Sequence, residues 1–138
     1  MDDWTKRLMA EMRANDGKVV TGPLAGKPHL IMTSRGAKTG QPRPVVLSYV
    51  RDGDAFVVAG TAGGSPTDPN WVHNLKANPE VTLEAEGRTF PARASFVDDG
   101  EWPGLWDALV ESRPDFAAYP DKAGRKIPVI KLEPVAGA

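Results

Sequence analysis

The 138-residue chain has no cysteine. That excludes disulfides, thiolate nucleophiles and cysteine metal ligands, and it fits a reducing cytoplasm. Only two histidines are present, His29 and His73, in different predicted elements. No His-Glu-x-x-His or paired-carboxylate spacing accompanies them, which argues against a metal site. No Gly-x-Ser-x-Gly elbow occurs, and Ser65 has no evident base beside it, so a protein nucleophile for hydrolysis is a poor fit. Long apolar runs are missing as well, and the start Met1-Asp2-Asp3 is acidic. Neither a signal peptide nor a membrane span is expected. The formal net charge of −1 offers no global basic field for nucleic acid. With no obvious acid, base or nucleophile, a bound organic cofactor would have to carry the chemistry.

What is present is concentrated in Thr33–Arg43, between two apolar runs that read as strands. Gly36 and Gly40 let the backbone turn tightly. Arg35, Lys38 and Arg43 bring positive charge, and Ser34 and Thr39 bring hydroxyls. Such a turn suits a phosphate or a polycarboxylate tail; the alternative is a solvated hairpin turn. It is not a P-loop, because Ala37 separates Gly36 from Lys38 and no glycine precedes at the required spacing.

The length predicts one domain over 1–138: an N-terminal helix to residue 15, a loop at 16–28 and a core at 29–134. Trp4, Leu8 and Met12 form a helical stripe over 4–14, with Met9 beside it. The stripe predicts a helix packed on its own domain, a lid or membrane-surface anchor being the alternative. Strands are expected at 29–33, 43–51, 55–59, 81–86, 89–97 and 126–132. Pro44 argues for an edge or bulge, and Asp52-Gly53 for a hairpin between the second and third strands. After the glycine-rich stretch Gly60–Pro66, a helix is expected with Thr67 or Asp68 as its cap and Trp71, Val72 and Leu75 buried. Asp98 and Glu101 have capping-box spacing before a helix carrying Trp102, Leu105, Trp106 and Leu109. Six mostly hairpin-linked strands suggest a closed or nearly closed antiparallel barrel with helices over its ends.

Three segments together resemble one family: Thr33–Arg43, Gly60–Pro79 and Ile127-Pro128-Val129. The combination of Gly-x-Lys-Thr-Gly with Trp-x-x-Asn-Leu-x-Ala-Asn-Pro is similar to the deazaflavin (coenzyme F420)-dependent nitroreductases, the A branch of the flavin/deazaflavin oxidoreductases. The resemblance implies a mainly β fold, a six-stranded antiparallel split β-barrel of the FMN-binding type with an N-terminal helix. It implies that Arg35, Lys38, Thr39, Gly40 and Arg43 hold the phosphate and acidic tail of F420. Gly60, Thr61, Ala62, Gly63 and Gly64 are then expected against the deazaflavin ring, with Trp71 and Asn74 bordering the cofactor from one helix face. Asn74 in an apolar stripe has a hydrogen-bonding duty, to ligand or to loop backbone. The chain departs from the family pattern at Thr61, where serine is common, and at Arg113 and Phe116, which stand where some members have tyrosines. Only Tyr119 remains of that set.

The implied function is an F420H2-dependent reductase, giving a hydride to an electron-poor small molecule such as an enone, lactone, quinone or nitroaromatic. Thr61 and Tyr119 are the candidates for positioning the substrate or relaying a proton. An FMN-dependent split-barrel oxidoreductase and a non-catalytic F420 carrier are the alternatives. A small-molecule substrate is expected, with no nucleic acid and no metal. Weak peripheral membrane association stays open, as do monomer and homodimer.

Overall fold

A computed structural model describes residues 3–135; Met1, Asp2 and residues 136–138 lie outside it, so the expectations resting on them are not addressed. The elements run α1 (Asp3–Ala14), β1 (His29–Arg35), β2 (Pro42–Ser48), β3 (Val50–Asp52), β4 (Ala55–Ala59), α2 (Asn70–Ala77), β5 (Glu80–Ala85) and β6 (Arg88–Phe96). Then come α3 (Trp102–Ser112), a short α4 (Tyr119–Ala123) and β7 (Val129–Pro134). Two 3-10 turns, Ala62–Gly64 and Pro114–Ala118, complete the order.

All strand pairs are antiparallel, in the order β2-β1-β5-β6-β7-β4-β3. Seven strands stand where six were expected, because the predicted strand at 43–51 divides. Its first part pairs with β1 and its second with β4. The hairpin at Asp52-Gly53 therefore joins only β3 to β4. The two ends of the sheet are consecutive in the chain, separated by Tyr49 alone, so the sheet curls until a single bent strand serves both edges. The result is a mainly β split barrel. Pro44, which has no N–H to give, sits in the terminal strand β2, as an edge requires.

Leu30, Met32, Phe56, Val58, Leu83, Ile130 and Leu132 point inward and are completely shielded from solvent, with Trp71, Val72 and Leu75 of α2 plugging one end. Strands β1 and β4 are covered on both faces, which is why they read as unbroken apolar runs rather than alternating ones. Outside β1, Ile31 packs with Met9 and Met12 of α1. Outside β4, Val57 and Ala59 pack beneath Trp106, Leu109 and Phe116. Strands β5 and β6, covered on one face, alternate.

Several local expectations are corrected. Trp4 is 58% exposed. The buried face of α1 runs through Met9 and Met12, and the first turn lies at the mouth of a cavity that Trp4 lines with Leu8. Neither Thr67 nor Asp68 caps α2: Pro69 takes the cap position, and Asp68 is drawn away into an ion pair with Arg125 at 2.7 Å. At α3, Asp98 does accept from the Glu101 N–H at 2.9 Å, but Glu101 turns to Lys131 instead of closing the box. The last strand starts at Val129, after Pro128, and not at 126. No helix among the described residues is long and apolar enough to cross a membrane.

Tyr49 holds the bend. It is buried, its ring meets Phe56 edge-on at 5.2 Å, and its hydroxyl donates to Glu86 at 3.1 Å. Burial, reinforced by the Glu86 charge, pushes this phenol up to about 12, so it remains a neutral donor. Tyr49→Phe should cost about 1–2 kcal/mol, a lost hydrogen bond with an acceptor left behind. Tyr49→Ala should cost about 3–5 kcal/mol, the range for emptying an aromatic core site. Urea unfolding of both variants checks the pair; equal costs would mean that the ring contributes nothing to closure.

Candidate functional site

Two hollows meet along β2 and share Val45. The first is a cleft of about 640 Å³ between the 36–43 loop and α2. The second is a cavity of about 450 Å³ between β2, the glycine-rich loop and Arg113, Phe116 and Tyr119. Strand β2 is half-buried from Pro44 to Ser48, so its apolar side chains remain available to a ligand.

The cleft loop is held by its own backbone. The Gly36 N–H bonds the Gln41 carbonyl at 2.8 Å, and the Gly40 N–H bonds that of Gly36 at 2.8 Å. Gly40 has φ +70, a conformation that favours glycine. The Asn74 side-chain oxygen accepts from the Ala37 N–H at 2.9 Å, tying the loop to α2. Asn74 thus serves the loop backbone, one of its two expected duties. Lys38, Thr39, Arg43, Trp71 and His73 line the cleft, and Arg35 ends β1 at the same loop. Ser34 does not contribute: its hydroxyl is buried beneath the loop and has no partner among the described residues.

Arg13, Arg51, Arg93, Arg113, Arg125, Lys126 and Lys131 all sit in ion pairs. Arg35, Lys38 and Arg43, by contrast, have neither an acid nor a hydrogen-bond acceptor among the described residues. Lys6, Arg7 and Lys18 also lack a charge partner among the described residues, but this loop gathers three such cations on one turn. Three unpaired cations on one turn make a donor set fitted to a multiply charged anion.

The glycine-rich loop is stapled from behind by Arg125. That guanidinium donates to the carbonyls of Ser65 at 3.0 Å, Thr67 at 3.1 Å, Gly60 at 3.2 Å and Thr61 at 3.4 Å, besides pairing with Asp68. Lys122 adds a bond to the Gly63 carbonyl at 3.0 Å. With the carbonyls so engaged, the N–H groups of Thr61, Ala62 and Gly63 have no acceptor among the described residues. Ala62, Gly63 and Gly64 all take positive φ, a costly conformation for Ala62. A free row of N–H groups beside a cavity fits a flat ligand with carbonyl acceptors. The three glycines of this loop differ in their surroundings: at Gly63 an added Cβ would meet nothing within 4 Å. At Gly60 a Cβ would lie 2.8 Å from Val72, and at Gly64 it would lie 2.7 Å from Lys122. At those two the chain packs closely against itself, and the positive φ of Gly64 favours glycine as well.

The cavity wall opposite Thr61 and Gly63 is a polar chain that local sequence did not reveal. His29 is buried, with Nδ1 2.8 Å from the Lys27 carbonyl and Nε2 3.1 Å from the Ser48 hydroxyl. Arg113 donates to the same hydroxyl at 2.7 Å and grips Asp115 through Nε and Nη2 at 3.0 and 2.8 Å. The Tyr119 hydroxyl donates to Asp115 at 3.2 Å. The hydrogen bonds from Arg113 hold the Asp115 carboxyl below the usual range, whereas burial, together with the nearby carboxylate, pushes the Tyr119 phenol up. Burial pulls His29 down, assisted by the charges of Arg113 and Lys27. A larger hollow of about 820 Å³ under the 16–29 segment is less suited to a ligand. Its Tyr49, Lys27 and His29 are already engaged, with Glu86, the Ser112 carbonyl and the Lys27 carbonyl.

The sequence profile described as F420H(2)-dependent quinone reductase matches residues 4–134. An F420H(2)-dependent quinone reductase of Mycobacterium tuberculosis is 36% identical over 123 residues, 87% of this chain and 83% of the relative. The solved structure of an F420-H2 dependent reductase superposes with a TM-score of 0.71 at 34% identity, covering 77% of this chain and 94% of the other. A second solved structure, described as a domain-swapped dimer, gives a TM-score of 0.73 at 31% identity and covers 93% of each chain.

Arg125→Ala should loosen the glycine-rich loop, leaving four carbonyls and a carboxylate without their donor. A loss on the order of 2 kcal/mol, with faster proteolysis within 60–68, is the expected result; unchanged cleavage would mean that the loop holds without its staple. His29 gives a pH signature. Its folded pKa lies below the ordinary 6.5, so the unfolded chain binds the proton more readily. The stability it confers is complete above 6.5 and is lost as pH falls from there toward the folded value. The lowered carboxylates Glu11, Glu84, Asp99 and Asp115 act only below their ordinary 4.5 or 3.8. Between about pH 7 and 5.5 the melting temperature of wild type should therefore fall, and His29→Gln should flatten that slope.

Proposed function

The chain belongs to the F420H(2)-dependent quinone reductase family and is an F420-dependent oxidoreductase, and from that premise we propose that it reduces quinones in the cavity between Gly63 and Arg113. Activated enones and nitroaromatics are acceptors of the same kind. The observation that carries this reading is the adjacency of the two hollows along β2, one edged with unpaired cations and the other largely apolar.

Coenzyme F420 has a flat deazaflavin ring at one end and a phosphate with an acidic glutamyl tail at the other. Arg35, Lys38 and Arg43, with the Thr39 hydroxyl, supply charge for the tail. The free N–H groups of Thr61, Ala62 and Gly63 offer donors to ring carbonyls, and Trp71 and Asn74 support the wall between the two ends. FMN would use one phosphate and leave most of that charge unmatched. When bound, the reduced cofactor supplies a hydride. The protein holds the acceptor beside it in a partly apolar cavity, where position and electrostatics carry the catalysis. Thr61 has a hydroxyl with no partner among the described residues, free to orient the acceptor. Tyr119 contributes the face of its ring, its hydroxyl hydrogen being engaged by Asp115.

Fluorescence titration with F420 and FMN side by side tests the cofactor assignment, and anaerobic oxidation of F420H2 by menadione tests the acceptor. F420 should bind more tightly than FMN. Lys38→Ala and Arg43→Ala should each weaken F420 by about threefold to tenfold, since exposed charge pairs contribute about 1 kcal/mol. The loss should shrink as salt is raised and grow with tail length. Wild-type affinity in both variants would move the tail to another surface. Tight F420 binding without turnover of any quinone, enone or nitro compound would leave a carrier protein.

A further inference from the structure

The cavity beside the glycine-rich loop contains hydroxyls, an imidazole and one guanidinium, and the hydrogen-bond accounting decides which of them can serve a substrate. The Lys27 carbonyl can only accept, so His29 Nδ1 carries the proton and Nε2 is the acceptor. The Ser48 hydroxyl therefore spends its single hydrogen on His29 Nε2, and its oxygen receives an N–H from Arg113. Tyr119 spends its hydrogen on Asp115. Neither of these two hydroxyls has a hydrogen left for a ligand, whereas the uncharged Thr61 hydroxyl remains to donate beside Arg113. Arg113 is different: of the five N–H groups of a guanidinium, Asp115 and Ser48 use three. One N–H on Nη1 and one on Nη2 remain.

Among the described residues Arg113 is also the sole charged side chain lining the cavity, whose other walls include Val45, Leu47 and Phe116. Asp115 does not line it and is turned to solvent: its side chain is 48% exposed, against 18% for Arg113. Water therefore screens the carboxylate more than the guanidinium. Phe116 lies under the guanidinium at 4.9 Å and Asp115 locks its far edge, so the donor plane is set before any ligand arrives.

We propose that Arg113 is the acceptor-binding cation of this cavity, gripping a substrate oxygen that is or becomes negatively charged, and that ionised hydroxyquinones are the preferred acceptor class. The inference rests on the quinone-reductase reading. A hydride brings two electrons and one hydrogen to the quinone, whose oxygen becomes an anion beside Arg113. That oxygen takes a proton from solvent to complete the hydroquinone, and the oxidised cofactor returns one proton to solvent. Arg113 stabilises the charge and transfers no proton. An acceptor that already carries an oxygen anion meets the same two N–H groups in its ground state.

The test uses cofactor-free protein and two probes, 2-hydroxy-1,4-naphthoquinone, which is ionised at neutral pH, and its neutral 2-methoxy ether. Calorimetric titration of wild type should show the ionised quinone binding at least tenfold more tightly than the ether, with the gap narrowing as salt is raised. Arg113→Gln should bring the two affinities together, and Arg113→Lys should keep part of the gap. Equal affinities in wild type, or an undiminished gap in a folded Arg113→Gln protein, would overturn the proposal. The wild-type comparison stands even if Arg113→Gln does not fold. Oxidation of F420H2 is followed in parallel. If wild type turns over neither of these quinones nor menadione, the quinone-reductase reading fails, while the binding constants still decide the role of Arg113.

Discussion

Everything in this molecule depends on one strand having to serve both edges of the sheet. Residues 42–52 pair with β1 at one end and with β4 at the other, and the change of partner falls at Tyr49. A sheet closed in this way is curled, and its closing strand is covered on neither face completely. The half-exposed side of β2 is the wall along which the cationic cleft and the apolar cavity meet. Closure and the candidate site are thus two consequences of the same backbone path. Tyr49 carries out the closure with a buried ring against Phe56 and a hydroxyl on Glu86.

The cations divide by what they are given to do. Arg125 is engaged through all three of its guanidinium nitrogens, with four carbonyls and a carboxylate, and acts as a fastening. By consuming the carbonyl side of the glycine-rich loop it leaves the N–H side without acceptors among the described residues, so a half-buried cation prepares a row of donors for an electron-rich ring. Arg13 does a simpler version, docking α1 on β5 through both oxygens of Glu84 at 2.8 and 2.9 Å. Arg35, Lys38 and Arg43 are left without partners among the described residues. Unpaired like charges on one turn repel each other, and an anionic ligand relieves that repulsion.

An aromatic ladder links the helical layer to the cavity. Trp102 stacks on Trp106, Trp106 on Phe116, and Phe116 meets Tyr119, at centroid distances of 5.3, 6.2 and 5.6 Å. Trp102 is anchored in turn by its indole N–H on the Ile127 carbonyl at 2.7 Å. The cavity wall is therefore continuous with the core over β4, and Phe116 owes its rigidity to that layer. Arg113 inherits the rigidity through its contact with the Phe116 ring.

Local patterns determined a good deal. The unbroken apolar runs at His29–Met32 and Ala55–Ala59, the alternation at Val81–Ala85, the stripe of Trp71, Val72 and Leu75, and the cation-bearing turn were all legible, because each depends on residues a few positions apart. Tertiary structure decided what depends on residues far apart in the chain. Only folding could divide the strand at Tyr49, since the choice of partner lies with β1 and β4. Only folding could bring Asn74 to the Ala37 N–H, Arg125 to the back of the glycine-rich loop, or Arg113 to Ser48 and His29. It also assigned different reasons to glycines that look alike in sequence: Gly60 and Gly64 yield to their own neighbours, whereas Gly63 faces open space. A single arginine, histidine or glycine has no periodicity, so its role stays unreadable until the chain supplies the atoms around it.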